Sequence, residues 1–157
     1  MSIPRLRKNV RKRVGRENLS VSLPFFVYGT LRPGEVNHDL FLRGRTRSET
    51  PARLTGAVLY DGPGYPYAVE EPGGPVYGEL VTALPDHYEE LLAALDRLEE
   101  YAPGDPSNLY ERVAREVRCE EEHGGGALAW VYVAASPVAE NLRTHGKLIE
   151  SGDWRIR

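Results

Sequence analysis

One stretch of this chain repeats apolar residues at helical spacing, and nearly everything else is short apolar runs cut by turn chemistry. The helical stretch covers residues 86–101, where Tyr88, Leu92 and Leu95 share one face and Leu91 and Leu98 widen it. Residues 24–28, 52–60, 65–70, 76–83, 109–119 and 127–134 read as strands bounded by Gly, Pro, Asp or Asn. Gly56 reads as a bulge within its strand, Asp86 with Glu89 as a capping box, and Asn37 as the cap of a short helix over residues 38–42. Residues 43–50 read as loop, residues 136–149 as an ambiguous segment with a short helix, and residues 151–154 as a returning edge strand. Short strands joined mostly by turns predict an α+β fold, a small mixed, mostly antiparallel β-barrel-like sheet with one main helix packed against it.

On that helix one residue is out of place. Glu99 projects with Tyr88, Leu92 and Leu95, whereas Glu89, Glu90, Asp96, Arg97 and Glu100 fall to the side or the back. A buried carboxylate without a partner is costly and raises its pKa instead, which makes it a proton-transfer tool near neutrality. Two plainer readings stand beside this one. The last helical turn can fray and carry Glu99 into solvent, or Glu99 can pair with an arginine such as Arg53 or Arg112.

With 157 residues the chain fits one domain with a real core. Residues 1–24 carry seven basic residues against Glu17, a net of +6 on a chain of net −3, so the remainder carries −9. This predicts a disordered basic tail over residues 1–24 and a folded, acidic domain over residues 25–157. A nucleic-acid partner is not expected, because the tail has no aromatic residues for base stacking and matches no reader motif. The single cysteine, Cys119, lies in a strand-like run and reads as structural. No apolar run reaches the roughly 20 residues that span a bilayer, and no signal peptide is visible, so a cytoplasmic location and no membrane partner are expected. Nothing fixes the oligomeric state, and a monomer is the simpler expectation.

Several chemistries find no support. The histidines at 38, 87, 123 and 145 make no metal-ligand spacing. The His123–Gly126 run reads as a hairpin turn, since no G-x-S-x-G elbow accompanies it. There is no phosphate loop and no dinucleotide fingerprint. Neither a metal site nor a cofactor is expected, which leaves acid–base chemistry and backbone electrostatics.

Residues 26–32 read Phe-Val-Tyr-Gly-Thr-Leu-Arg and are followed by Pro33, Gly34, Asn37 and His38. Downstream come Tyr65 and Pro66, then Val-Tyr-Gly-Glu-Leu at 76–80, then Leu-Asp-Arg-Leu-Glu at 95–99 with Tyr101, Tyr110 and Arg112. Trp-Val-Tyr at 130–132 and Gly-Asp-Trp at 152–154 close the series. This order of blocks, over roughly residues 25–157, resembles the γ-glutamylcyclotransferase-like family. The resemblance implies a small-molecule γ-glutamyl substrate whose own α-amine attacks its γ-carbonyl, giving 5-oxoproline and a released amine. It implies Glu99 as the general acid/base. It also implies that the Tyr28, Gly29, Thr30 and Leu31 loop binds the glutamyl head, with the Thr30 and Leu31 N–H groups forming an anion nest. Alone, Gly29 reads as an ordinary tight turn, and Tyr28 either lines a cavity or packs in the core. Arg32, Asn37 and His38 receive no catalytic role. Residues 61–66 and 102–108 are expected to discriminate the leaving amine. The family places Gly after its glutamate where this chain has Glu100, which keeps open a non-catalytic small-molecule binding module.

Overall fold

The computed structural model describes residues 22–120 and 124–157. The basic tail expected over residues 1–24 therefore lies almost wholly outside the described residues, as does His123. Among the described residues seven strands run in chain order: β1 (Phe25–Val27), β2 (Thr46–Leu54), β3 (Ala57–Tyr60), β4 (Tyr67–Glu70), β5 (Val76–Ala83), β6 (Tyr110–Cys119) and β7 (Gly126–Ala134). Two α-helices accompany them, α1 (Tyr88–Leu98) and α2 (Ser136–His145). Strands β1, β5, β2, β6 and β7 close into a barrel in that order, and β3 pairs with β4 in a separate two-stranded sheet. All pairings are antiparallel except β7 with β1, which is parallel.

The expected α+β, mostly antiparallel barrel is the fold observed, with particulars that differ. The segment expected as loop over residues 43–50 contains the start of β2, whose eight partners on β5 run from Thr46↔Ala83 to Leu54↔Val76. Residues 52–60 are not one bulged strand. Gly56, at φ 73°, breaks the run and sends β2 into the barrel and β3 into the small sheet. The helix starts later than expected: residues Pro85–His87 form a 3-10 turn and His87 is the N-cap with no side-chain hydrogen bond, so the Asp86–Glu89 box does not form. A second helix, α2, occupies residues that had been ambiguous. The C-terminal residues 151–154 form turns rather than an edge strand, while the chain just before them lies along β3 through Ile149 N–H to Leu59 O at 2.7 Å.

Strand alternation gives β1 two buried faces. Phe25 and Val27 pack with Leu91 and Leu95 of α1, and Phe26 and Tyr28 pack with Val131, Val133 and Trp154. The loop that follows β1 therefore leaves from a strand fixed on both sides, with α1 directly against it.

Candidate active site

The end of α1 places Glu99. The helix closes with Glu99 as its C-cap; Glu100 N–H reaches Arg97 O at 3.1 Å and Tyr101 N–H reaches Asp96 O at 2.8 Å. These two bonds are the Schellman pattern, in which the residue after the cap takes a left-handed conformation that usually belongs to glycine. Here that residue is Glu100, at φ 53°, the one non-glycine in this region among the described residues. So Glu100 keeps the cap that a glycine would make and leaves Glu99 in place, at a cost in backbone strain. Glu100→Gly is expected to raise stability by about 1 kcal/mol, a melting temperature roughly 2–4 °C higher, as read by thermal unfolding at fixed pH.

The loop after β1 is built by short-range bonds. Arg32 N–H donates to Gly29 O at 3.0 Å, Asn37 N–H to Thr30 O at 3.0 Å, and Asn37 Nδ2 to Thr30 Oγ1 at 2.8 Å. Asn37 thus braces the loop and makes no side-chain cap to the π-helical turn at His38–Leu42. Gly29 is required by close approach: a Cβ there would lie 2.7 Å from Pro66 Cδ and 2.9 Å from Pro66 Cγ. Among the described residues, neither the Thr30 nor the Leu31 N–H donates to a protein acceptor.

These pieces meet. Tyr28, Gly29, Thr30, Leu31 and Glu99 all line one inner cavity of about 40 Å³, with Pro66, Tyr110 and Tyr132 among its other walls. An outer groove of about 320 Å³ shares Thr30, Tyr65, Glu99 and Tyr110 with it and adds Val36, Leu98, Glu100 and Leu109. Of the loops expected to contact a leaving group, residues 61–66 contribute Gly64 and Tyr65, whereas residues 102–108 do not line the groove and Leu109 stands there instead.

Glu99 is half-buried, and among the described residues its carboxylate has neither a hydrogen-bond donor nor an ion-pair partner. The arginines considered for it are engaged elsewhere, Arg112 Nε with Asp96 at 2.9 Å and Arg53 with Glu120 at 2.9 Å. Burial alone pushes its pKa from 4.5 to about 7. Tyr28 both lines the cavity and packs in the core. Its hydroxyl donates to Tyr132 O at 2.5 Å and accepts from Ala68 N–H at 3.2 Å, so it ties β1 to β7 and β4. Tyr110 donates to Pro66 O at 2.8 Å. Burial, and to a smaller degree the nearby Glu99 charge, holds both phenols far above their ordinary range.

Arg32, given no role from sequence, proves to be a buried anchor. Its Nε and Nη2 grip the Glu79 carboxylate at 2.9 and 3.0 Å, and its Nη1 reaches Asp153 at 2.7 Å. One side chain directly after the cavity loop therefore ties that loop to β5 and to the C-terminal segment. Tyr132 and Pro66 were not singled out as site residues; the blocks of residues 65–66 and 130–132 that hold them were the signal that marked them.

The family model described as gamma-glutamyl cyclotransferase, AIG2-like, matches residues 25–156. A gamma-L-glutamyl-butirosin B gamma-glutamyl cyclotransferase of Niallia circulans is 40% identical over 109 residues, 69% of this chain and 64% of that protein. The crystal structure of an AIG2-like protein from mouse superposes with a TM-score of 0.60 at 28% identity, covering 82% of this chain and 86% of that one. The solution structure of Escherichia coli YtfP superposes with a TM-score of 0.54, again at 28% identity, over 84% of this chain and 96% of that one. The chain belongs to the AIG2-like gamma-glutamyl cyclotransferase family.

Proposed function

We propose that this protein is a γ-glutamyl cyclotransferase in which Glu99 is the general acid/base and the Tyr28–Leu31 loop holds the glutamyl head. The observation that carries the reading is a carboxyl without a partner among the described residues, raised to about 7, in a cavity it shares with that loop. The ionised Glu99 takes a proton from the substrate's α-ammonium. The freed amine attacks the γ-carbonyl carbon, closing a five-membered ring and placing negative charge on the carbonyl oxygen. Protonated Glu99 then delivers its proton to the departing nitrogen and the γ-amide C–N bond breaks. The re-ionised Glu99 takes the second proton from the ring nitrogen and passes it to the released amine, leaving 5-oxoproline, an ammonium product and an ionised Glu99. No water is consumed and no protein nucleophile is needed. Holding the glutamyl chain folded supplies acceleration by proximity. A carboxyl titrating near 7 serves as base and then acid at neutral pH. The free N–H groups of Thr30 and Leu31 are suited to the anionic part of the head.

The leaving amine belongs in the outer groove. Among the described residues its walls offer the apolar Val36, Leu98 and Leu109, two carboxylates, and no lysine or arginine. A carboxylate beside the leaving nitrogen would meet like charge there. With a panel of γ-glutamyl compounds, kcat/KM for 5-oxoproline release is expected to be at least about tenfold higher for γ-glutamyl amines than for γ-glutamyl α-amino acids of similar size. Faster release from the amino acids would contradict this placement. No release from any compound would sink the enzymatic reading. The non-catalytic alternative rested on Glu100, and Glu100 preserves the helix cap that positions Glu99.

A further inference from the structure

Four tyrosines, Tyr28, Tyr65, Tyr110 and Tyr132, line the inner cavity together with Glu99. Three of them spend their hydroxyl protons elsewhere: Tyr28 on Tyr132 O, Tyr110 on Pro66 O, and Tyr132 on Asp96 Oδ1 at 2.6 Å. Asp96 precedes Glu99 by three residues, so the two leave the end of α1 as neighbours. The same Asp96 holds the Arg112 guanidinium with two contacts, 2.9 Å from Nε and 3.3 Å from Nη2. Arg112 is further fixed over the rings of Trp130, at 4.3 Å, and Tyr101, at 5.4 Å. One carboxylate therefore occupies both a cavity-lining phenol and the Arg112 guanidinium.

The groups around Glu99 explain why this matters. Tyr28 faces it from the end of β1, Tyr67 from β4, Tyr110 from β6 and Tyr132 from β7, since the Glu99 charge acts on all four phenols. Tyr65 shares its cavity from the loop before β4, and Arg112 lies on β6. On its own segment stand Asp96 and Glu100. A phenol or guanidinium resting on Glu99 would stabilise the ionised form and fill the lone pairs that must receive the substrate's proton.

We propose that Asp96 is a positioning residue that holds Tyr132 and Arg112 away from Glu99, leaving that carboxylate free to take the substrate's proton. The catalytic half of this statement rests on the cyclotransferase reading; the structural half does not, so the primary test is carried out without substrate. In a carbon-13 NMR titration of the glutamate carboxyls, Asp96→Ala is expected to lower the Glu99 midpoint by about one unit or more. Adding Tyr132→Phe to that variant is expected to restore part of the shift. Tyr132→Phe alone, which keeps the ring and needs no burial of a new group, is expected to leave the midpoint where it is. An unmoved midpoint in Asp96→Ala overturns the proposal. So does an upward shift in Tyr132→Phe alone, which would show Tyr132 already donating to Glu99; this arm stands even if Asp96→Ala does not fold. In turnover assays the acidic limb of kcat/KM should follow the same downward shift in Asp96→Ala, whereas a merely structural role would reduce the plateau and leave the limb in place. A shifted titration with no 5-oxoproline from the wild type would defeat the functional reading and leave the positioning role intact.

Discussion

Glu99→Gln is expected to reduce 5-oxoproline formation by about 10²–10⁴-fold while making the protein more stable at neutral and alkaline pH. Both effects come from the same burial. The Glu99 pKa is about 7 in the folded chain against an ordinary 4.5. At about 1.4 kcal/mol per unit, that difference costs the folded state about 3 kcal/mol once the group is ionised in both states. The sign follows from which state binds the proton more tightly. Below 4.5 the carboxyl is protonated whether the chain is folded or not, and nothing is lost. As pH rises from 4.5 to 7 the unfolded chain releases its proton while the folded chain keeps it, so stability falls. Above 7 the loss is complete. Gln carries no such charge, so the stability gap between variant and wild type should open between pH 5 and 7, approach about 3 kcal/mol by pH 8, and vanish near pH 4. Denaturant unfolding across that range reads the gap, and a variant that is less stable at pH 8 would contradict the burial of an ionised, unpartnered carboxylate.

The second large effect concerns the anchor of the cavity loop. Arg32→Met is expected to cost about 3–5 kcal/mol, because it leaves the buried Glu79 carboxylate uncompensated and releases Asp153. The penalty belongs to the orphaned charge more than to the lost attraction. Arg32→Met combined with Glu79→Met should therefore be less destabilised than the sum of the single variants, which thermal unfolding of all three proteins measures. Because Arg32 follows Leu31 directly, the surviving folded fraction of the single variant should also show a raised KM. If Arg32→Met melts like the wild type, Arg32 does not fasten the loop.

The parts of this fold that could be read from sequence are those whose local pattern agrees with their long-range role. Strand β5 was expected at its observed bounds because a short apolar run stands there between the Gly-Gly-Pro turn before it and Pro85 after it. Helix α1 was legible for the same reason, and the apolar arc that carries Glu99 points where the spacing says. Strand β2 was not legible over its first half. Its residues from Thr46 to Pro51 are polar or exposed, and only pairing with β5 makes them a strand. Helix α2 offers a single buried residue, Ala139, so its pattern is faint. Arg32 received no role from sequence because its partners, Glu79 and Asp153, lie 47 and 121 positions away. The same distance hid Tyr132, which meets Asp96 across 36 positions. Glu100 looked like a defect in the helix end, yet a left-handed Glu satisfies the cap that glycine would make.

The most direct test of the account is the pH dependence of kcat/KM for 5-oxoproline release from a γ-glutamyl amine. The mechanism requires Glu99 ionised to accept the α-ammonium proton, so the rate should rise with pH through a single acidic limb centred near 7. That limb should be absent from whatever residual activity Glu99→Gln retains. A wild-type profile that is already flat between pH 5 and 8, or a limb that persists without Glu99, would contradict it.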